Sequence, residues 1–345
     1  MLRKVAFLLV GVSFLALATT THIAGQARGG QAGGRQGGAG GAAPAGQAAT
    51  PPPGPPGGGG GGGTGGQGGG GPIKVLVITK GHPYDRGPFA DMLDSMGADI
   101  TWTHAEHPAA DVLMSPKYGK MFDVYLFYDL GGPGGPDTTP DGKKVDGFLA
   151  SNKRTYPYPD AQLKTDFRDL LRMGKGMVFL HHASAAWAHT WPEYSEVVGG
   201  ACDWYANNTV RGIDMPNHRF AGNTPQHITF VDRNHPIAKG IENGFDIVDE
   251  AYACAWFPDS FHVLATTDYM PADPEKNLGQ NWKYSNATAW VKVSENSPVF
   301  YTEPGHDNVT WSNPGYRTLV LNAIRWAASP AALAWARANP THIFK

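Results

Sequence analysis

The chain has 345 residues, with 28 Lys and Arg against 30 Asp and Glu and a formal net charge of −2. That balance, with no basic stripe, argues against nucleic acid or an anionic membrane surface as a partner. The two cysteines, Cys202 and Cys254, fit one disulfide in an oxidising compartment or two buried thiols, and their spacing does not choose between them.

The chain opens "MLRKVAFLLVGVSFLALATTTHIAGQA". A basic start, a short apolar run and small residues around Ala18 and Ala27 have the form of a secretory signal over residues 1–27. The expectation is export to a periplasmic or extracellular space. An uncleaved membrane tether is the alternative. Residues 28–71 are almost entirely Gly, Ala, Gln and Pro. Such a segment has little to bury against its conformational entropy and reads as a disordered linker. Its many G-x-G-x-x-G matches are compositional, because no strand precedes them and no helix follows.

From Pro72 about 270 residues remain, enough for one domain with a full core. "IKVLVITKG" is a continuous apolar run closed by Gly, the pattern of a strand buried on both faces. "FADMLDSMG" predicts a short helix, "ADITWTHA" a second strand and "FDVYLFYDLGG" a third. "DAQLKTDFRDLLRMGKG" has helical spacing at Leu163, Phe167, Leu170 and Leu171, and "MVFLHH" follows as a fourth strand. This cadence predicts an α/β fold, a doubly wound, mostly parallel sheet. "HITFVDRNHPI", "HVLATTDY", "ATAWVKV" and "SPVFYTEPGH" read as further strands that add antiparallel elaborations, and "GYRTLVLNAIRWAAS" as an amphipathic helix. Residues 330–345 read as a packed tail or short helix.

Polar residues cluster where the early strands end. The first leads to His82 and Asp85, the third to Asp129, and the fourth to His181 and His182. Parallel strands align their carboxyl ends, so these groups are expected to converge on one crevice. "GHDNVTW" adds His306 and Asp307, and "FDIVDEAY" adds Asp249 and Glu250, for which loop capping or an ion pair is the plainer reading. Two imidazoles and a carboxylate could hold a divalent metal such as zinc, with His181 and His306 as ligands, or act without metal as an acid–base set. No H-E-x-x-H or paired C-x-x-C supports the metal. No G-x-S-x-G elbow or Walker A loop is present, and Ser184, in "HHASAAW", lacks the glycines that admit a strained turn. Trp187, Trp191, Tyr194, Trp204 and Tyr205 crowd the same region. Their flat faces suit sugar C–H patches, and core packing is the alternative.

"KGMVFLHHASAAW", "HPIAKGIENGFDIVDEAY" and "VFYTEPGHDNVTWSNPGYRTLVLNAIRWA" resemble, in order, three signature blocks of the ThuA-like (trehalose-utilisation) family. The resemblance covers residues 72–329. It implies the flavodoxin-like fold of the class I glutamine amidotransferase-like superfamily. It also places His181 where those amidotransferases carry a cysteine nucleophile, and a histidine cannot form their thioester. The resemblance assigns His82, His181, Glu250, His306 and Asp307 to one site, while His182 stands where the family more often has a small residue. Two functions follow as expectations. One is an exported protein of carbohydrate metabolism acting on a sugar, keto-sugar or glycoside as a hydrolase, lyase or isomerase. It would use His181, His306, Glu250 and Asp307 as catalytic groups, and His82, His182, Trp187, Trp191 and Tyr194 as substrate contacts. The other is a non-catalytic carbohydrate-binding module tethered outside the cytoplasm. A structural role in a surface complex has only the linker behind it.

Overall fold

Backbone hydrogen bonds of the apolar runs pair them into one large sheet, and that sheet places the candidate groups. The computed structural model describes residues 65–130, 159–188, 191–202, 208–216 and 218–344. The expected signal segment, linker residues 28–64, Trp204 and Tyr205 lie outside the described residues. The first half contains β1 (Gly65–Gly69), β2 (Ile73–Lys80), α1 (Arg86–Asp94), β3 (Ile100–Glu106), α2 (Ala109–Leu113), β4 (Val124–Asp129), α3 (Ala161–Arg172) and β5 (Gly176–Leu180). Next come α4 (Pro192–Val198), β6 (Gly200–Ala201), β7 (Asn208–Val210), β8 (Ile213–Met215), β9 (Arg219–Phe230), β10 (Phe245–Ala253), β11 (Ala255–Trp256) and β12 (His262–Thr267). The described chain closes with α5 (Pro274–Leu278), β13 (Ala287–Ser294), β14 (Ser297–Thr302), α6 (Asn308–Ser312), α7 (Pro314–Ala327) and α8 (Pro330–Ala338).

The main sheet runs β1-β3-β2-β4-β5-β14-β13-β12-β9-β10. Its parallel part is β3, β2, β4, β5 and β14. Numbered along the chain, those strands lie in the order 2-1-3-4-5, the flavodoxin-like doubly wound order. β1 at one side and β13, β12, β9 and β10 at the other pair antiparallel. The expected mostly parallel core with antiparallel elaborations is what the chain forms.

Alternating side chains divide the core. Val75, Val77, Leu126, Tyr128, Val178 and Leu180 face α1 and α7. Leu76, Ile78, Tyr125, Phe127, Met177 and Phe179 face α3 and α4. α3 buries Leu163, Phe167, Leu170 and Leu171, as its spacing predicts, and Asp160 caps it by accepting from the Leu163 N–H at 2.8 Å. The tail expectation resolves as α8.

Two expectations are corrected. Gly65–Gly69, read as linker, is an edge strand on β3. At Gly68 a Cβ would collide with the Trp102 indole and with the Asp94 carboxylate it bonds at 2.9 Å, so close approach demands glycine there. "FDIVDEAYA", whose acidic pair suggested loop capping or an ion pair, is the strand β10. Its burial alternates, but Asp249 occupies a buried position, which disguises the apolar face.

Candidate functional site

β5 delivers His181 to the carboxyl edge of the sheet, where the chain turns into a 3-10 segment, His181–Ala185. His181 has φ 53°, left-handed and strained for a residue with a Cβ. The strained turn judged absent around Ser184 therefore exists, and His181 itself carries it. Ser184 Oγ donates to the His181 carbonyl at 3.2 Å, and Tyr301 Oη donates to the same carbonyl at 3.1 Å, which holds the elbow. Opposite lies the loop after β14. Gly305 there has φ 149°, and a Cβ would sit 3.0 Å from His181 Cβ and 2.7 Å from Tyr316 Oη. Only glycine lets this loop come so close.

Three donor atoms meet between these loops. His181 Nε2 lies 3.3 Å from Glu250 Oε2 and 3.3 Å from His306 Nδ1, and His306 Nδ1 lies 3.4 Å from the same Glu250 oxygen. A tetrahedral ion bound at roughly 2.0–2.1 Å separates its donors by roughly 3.3–3.4 Å. The triangle thus has the size of one ligand face of a zinc-like site, and two imidazoles with a carboxylate are a fitting donor set. His181 Nδ1 donates to the Glu303 carbonyl at 2.7 Å, which fixes the ring with Nε2 directed at the triangle. Tyr252 Oη, 2.7 Å from that Nε2, adds a hydroxyl at the same point. Side-chain exposure rises from 0% at His181 through 13% at Glu250 to 31% at His306, so the triangle has a closed base and an open mouth.

Both acidic neighbours of β10 reach this place beside a bulge in β9. Asp249 pairs with Thr224 and Ala251 with Ala221, so Gly222 and Asn223 oppose the single residue Glu250. Asn223 takes φ 49° to make the bulge. Asp249 Oδ2 accepts from the Gly305 N–H at 2.5 Å, and its Oδ1 accepts from the His306 N–H at 3.2 Å. Trp311 Nε1 donates to the Gly305 carbonyl and Tyr128 Oη to the His306 carbonyl, each at 2.9 Å. The loop that presents His306 is therefore held through its backbone on both sides.

Burial and charge set the protonation pattern. Burial alone would raise the Glu250 pKa, but hydrogen bonds from His181 and His306 bring it down to about 2. His306 is raised, mainly by its hydrogen bond to Glu250. His82 falls to about 4 through burial first and then through His181 and His306. Burial also raises Asp249, and it pushes Glu303 up to about 8.

The expected residues fare unequally. His181, Glu250 and His306 converge. His82 joins them, its ring 5.4 Å from that of His306. His182 is 2% exposed, sends Nδ1 to the Asp129 carbonyl at 3.3 Å and packs behind His82, ring to ring at 4.8 Å, so it is not a substrate contact. Asp307 lines the cleft and caps α6 through Oδ1, which accepts from the Val309 N–H at 2.9 Å, but it is not a corner of the triangle. Trp187, Trp191 and Tyr194 are buried in the core on the α3–α4 side, and Trp191 and Tyr194 pack on Phe167. They offer no face to a sugar. The loop-capping reading of Asp249 matches its bonds to the Gly305 and His306 N–H groups, while sequence reasoning missed Tyr252 and Glu303. Recognition of β10 as a strand would have put Tyr252, two residues beyond Glu250, on the same face. Asn223, Asp249, Glu250, His306 and Asp307 line a cleft of about 210 Å³ at the mouth. Cys202 and Cys254 are joined by a disulfide in this structure.

The ThuA family, described as trehalose utilisation, matches residues 143–327, which include His181, Glu250 and His306. This is a narrower span than the expected 72–329. Among solved structures, a protein described as ThuA-like from Parabacteroides merdae is 18% identical, covers 75% of this chain and 90% of its own, and superposes with a TM-score of 0.52. One described in the same words from Bacteroides uniformis is 16% identical over 74% of this chain and 91% of its own, with a TM-score of 0.47. A cytoplasmic protein of Salmonella typhimurium is 12% identical over 74% and 99%, with a TM-score of 0.45. At such identities the first likeness speaks for the fold. No curated protein matches the chain. With the family's pattern spanning more than half of the sequence and all three corners of the triangle, the chain belongs to the ThuA family.

Proposed function

We propose that the protein is a metal-dependent enzyme acting on a sugar or keto-sugar, with a zinc-like ion held by His181 Nε2, the Glu250 carboxylate and His306 Nδ1. The single observation that carries this reading is the donor triangle, with edges of 3.3, 3.3 and 3.4 Å. Family membership associates the protein with carbohydrate metabolism. The cleft of about 210 Å³ is smaller than a drug-sized pocket and suits one sugar ring rather than a long glycan. A bound divalent ion would supply polarisation of a carbonyl oxygen or an acidified water.

The chain's own groups have separate tasks. Glu303 and Asp249 hold the two imidazoles in place from outside the triangle. Tyr252, kept protonated by burial, presents a hydroxyl as a hydrogen-bond donor, and His82 stands at the edge as an imidazole that burial keeps neutral. Amidotransferase chemistry is not part of the proposal, because the elbow carries His181 and no thiol. The binding-module reading leans on aromatic faces, and Trp187, Trp191 and Tyr194 are buried, so the proposal favours the enzyme. Export belongs to the proposal as well, supported by the apolar N-terminal run and the Cys202–Cys254 bond.

The test is elemental analysis of the purified full chain, followed by turnover assays on 3-keto-glycosides and the parent sugars. One divalent ion per chain, with activity lost in His181→Ala and His306→Ala, is the expected result. Full turnover in either variant would overturn the reading.

A further inference from the structure

The second cluster of metal-binding side chains lies around the disulfide. β11 pairs antiparallel with β6, Ala255 opposite Ala201, so one step on Cys254 stands opposite Cys202. β10 pairs with β9, Ala253 opposite Arg219, so one step on the same Cys254 stands opposite His218. Cys254 is thus flanked by Cys202 and His218. All three are at most 1% exposed, and one ligand atom from each lies within 4.8 Å of the others. Two thiolates and an imidazole are a donor set for thiophilic closed-shell ions.

We propose that Cys202, Cys254 and His218 form a second metal site, which takes an ion of the Zn²⁺ class when the chain folds with its cysteines reduced. The proposal is independent of the His181–Glu250–His306 reading. In the metal route each thiol releases a proton to solvent, two sulfur–metal bonds and one nitrogen–metal bond form, and no electrons move. In the alternative route a small-molecule disulfide is the oxidant. Its S–S bond breaks, the Cys202–Cys254 bond forms, and the oxidant leaves as two thiols carrying the two electrons and two protons. The medium in which the chain folds therefore chooses between ion and covalent bond at one place in the core.

The experiment uses the full chain carrying Glu250→Gln and His306→Ala, which empties the first site. The protein is folded under a phosphine reductant, and Cd²⁺ is the probe. One Cd²⁺ per chain is expected, with thiolate-to-cadmium charge-transfer absorption in the ultraviolet. That band disappears in Cys202→Ser and in the oxidised protein, and affinity falls at least about tenfold in His218→Ala. His218→Asn replaces the alanine variant if the latter does not fold. Absence of the band in the reduced chain, or unchanged affinity without His218, would overturn the proposal.

Discussion

Asp249 holds His306 by its backbone: the buried carboxylate accepts from the N–H groups of Gly305 and His306 at 2.5 and 3.2 Å. The side chain that closes the triangle is therefore aimed by a residue that is not a corner of it. Asp249→Ala leaves those N–H groups without their acceptor, a loss of about 1–3 kcal/mol in stability. It also frees the ring, and metal affinity is expected to fall about 10–100-fold. Chelator competition and thermal melting measure the two effects. Asp249→Asn keeps an acceptor oxygen and is expected to lie between alanine and the parent.

Glu250→Gln separates charge from shape. The amide fills the same space, so the melting temperature is expected to stay close to the parent's, while bound metal and turnover both drop. Dialysis of the parent against a chelator should reproduce the loss, and added Zn²⁺ should reverse it. Recovery of activity by Glu250→Gln without bound metal would contradict the role given to this carboxylate.

His107 makes the fold sensitive to alkali at a point away from the triangle. It is fully buried, its Nδ1 bonded to Asp111 and its Nε2 3.4 Å from Asp129 Oδ2. Burial alone would lower its pKa, but the two carboxylates overcome that and raise it to about 9. A raised folded-state pKa means the stabilisation is complete below about 6.5 and is lost as pH climbs through about 9. The expected loss is on the order of 3 kcal/mol. Denaturant midpoints measured from neutral pH upward should fall in the parent. They should be lower throughout and flatter in His107→Ala, because removal of one buried partner costs about 3–5 kcal/mol.

Trp191 and His82 were read from the sequence as partners in substrate binding, and the structure separates them. Trp191→Ala opens the core against Phe167 and Tyr194 and is expected to cost about 3–5 kcal/mol with metal affinity retained. His82→Ala, at the half-buried edge of the site, is expected to lower turnover with a small effect on melting. Calorimetry and steady-state kinetics on the two variants distinguish the roles.

The parallel strands were legible because a strand buried on both faces leaves an unbroken apolar run, as in "IKVLVITKG" and "FDVYLFYDLGG". His181 and His306 were legible because such strands share a carboxyl edge. Glu250 needed the family resemblance to join them, since β10 hides its alternation behind the buried Asp249. β1 was illegible for another reason. Glycine carries no side-chain pattern, and the requirement at Gly68 comes from Trp102 on a neighbouring strand. The aromatic density around Trp187 was visible, but density along a chain does not say which side of a sheet a ring faces. Tyr252 and Glu303 reach His181 only through the folded topology.

The extra residue in β9 opposite Glu250 has a consequence for how this centre can be lost. A point substitution changes one corner, but removal of Gly222 or Asn223 restores one-for-one pairing with β10 and straightens the strand. The bulge bends β9 and increases the local twist beside Glu250, so its loss is expected to move Asp249 and Glu250 relative to the loop at Gly305 and His306. The triangle is thus expected to depend on one peptide unit of β9 as much as on any chemical group, and shortening the hairpin by one amino acid is expected to disturb it with every acidic and imidazole side chain still in place.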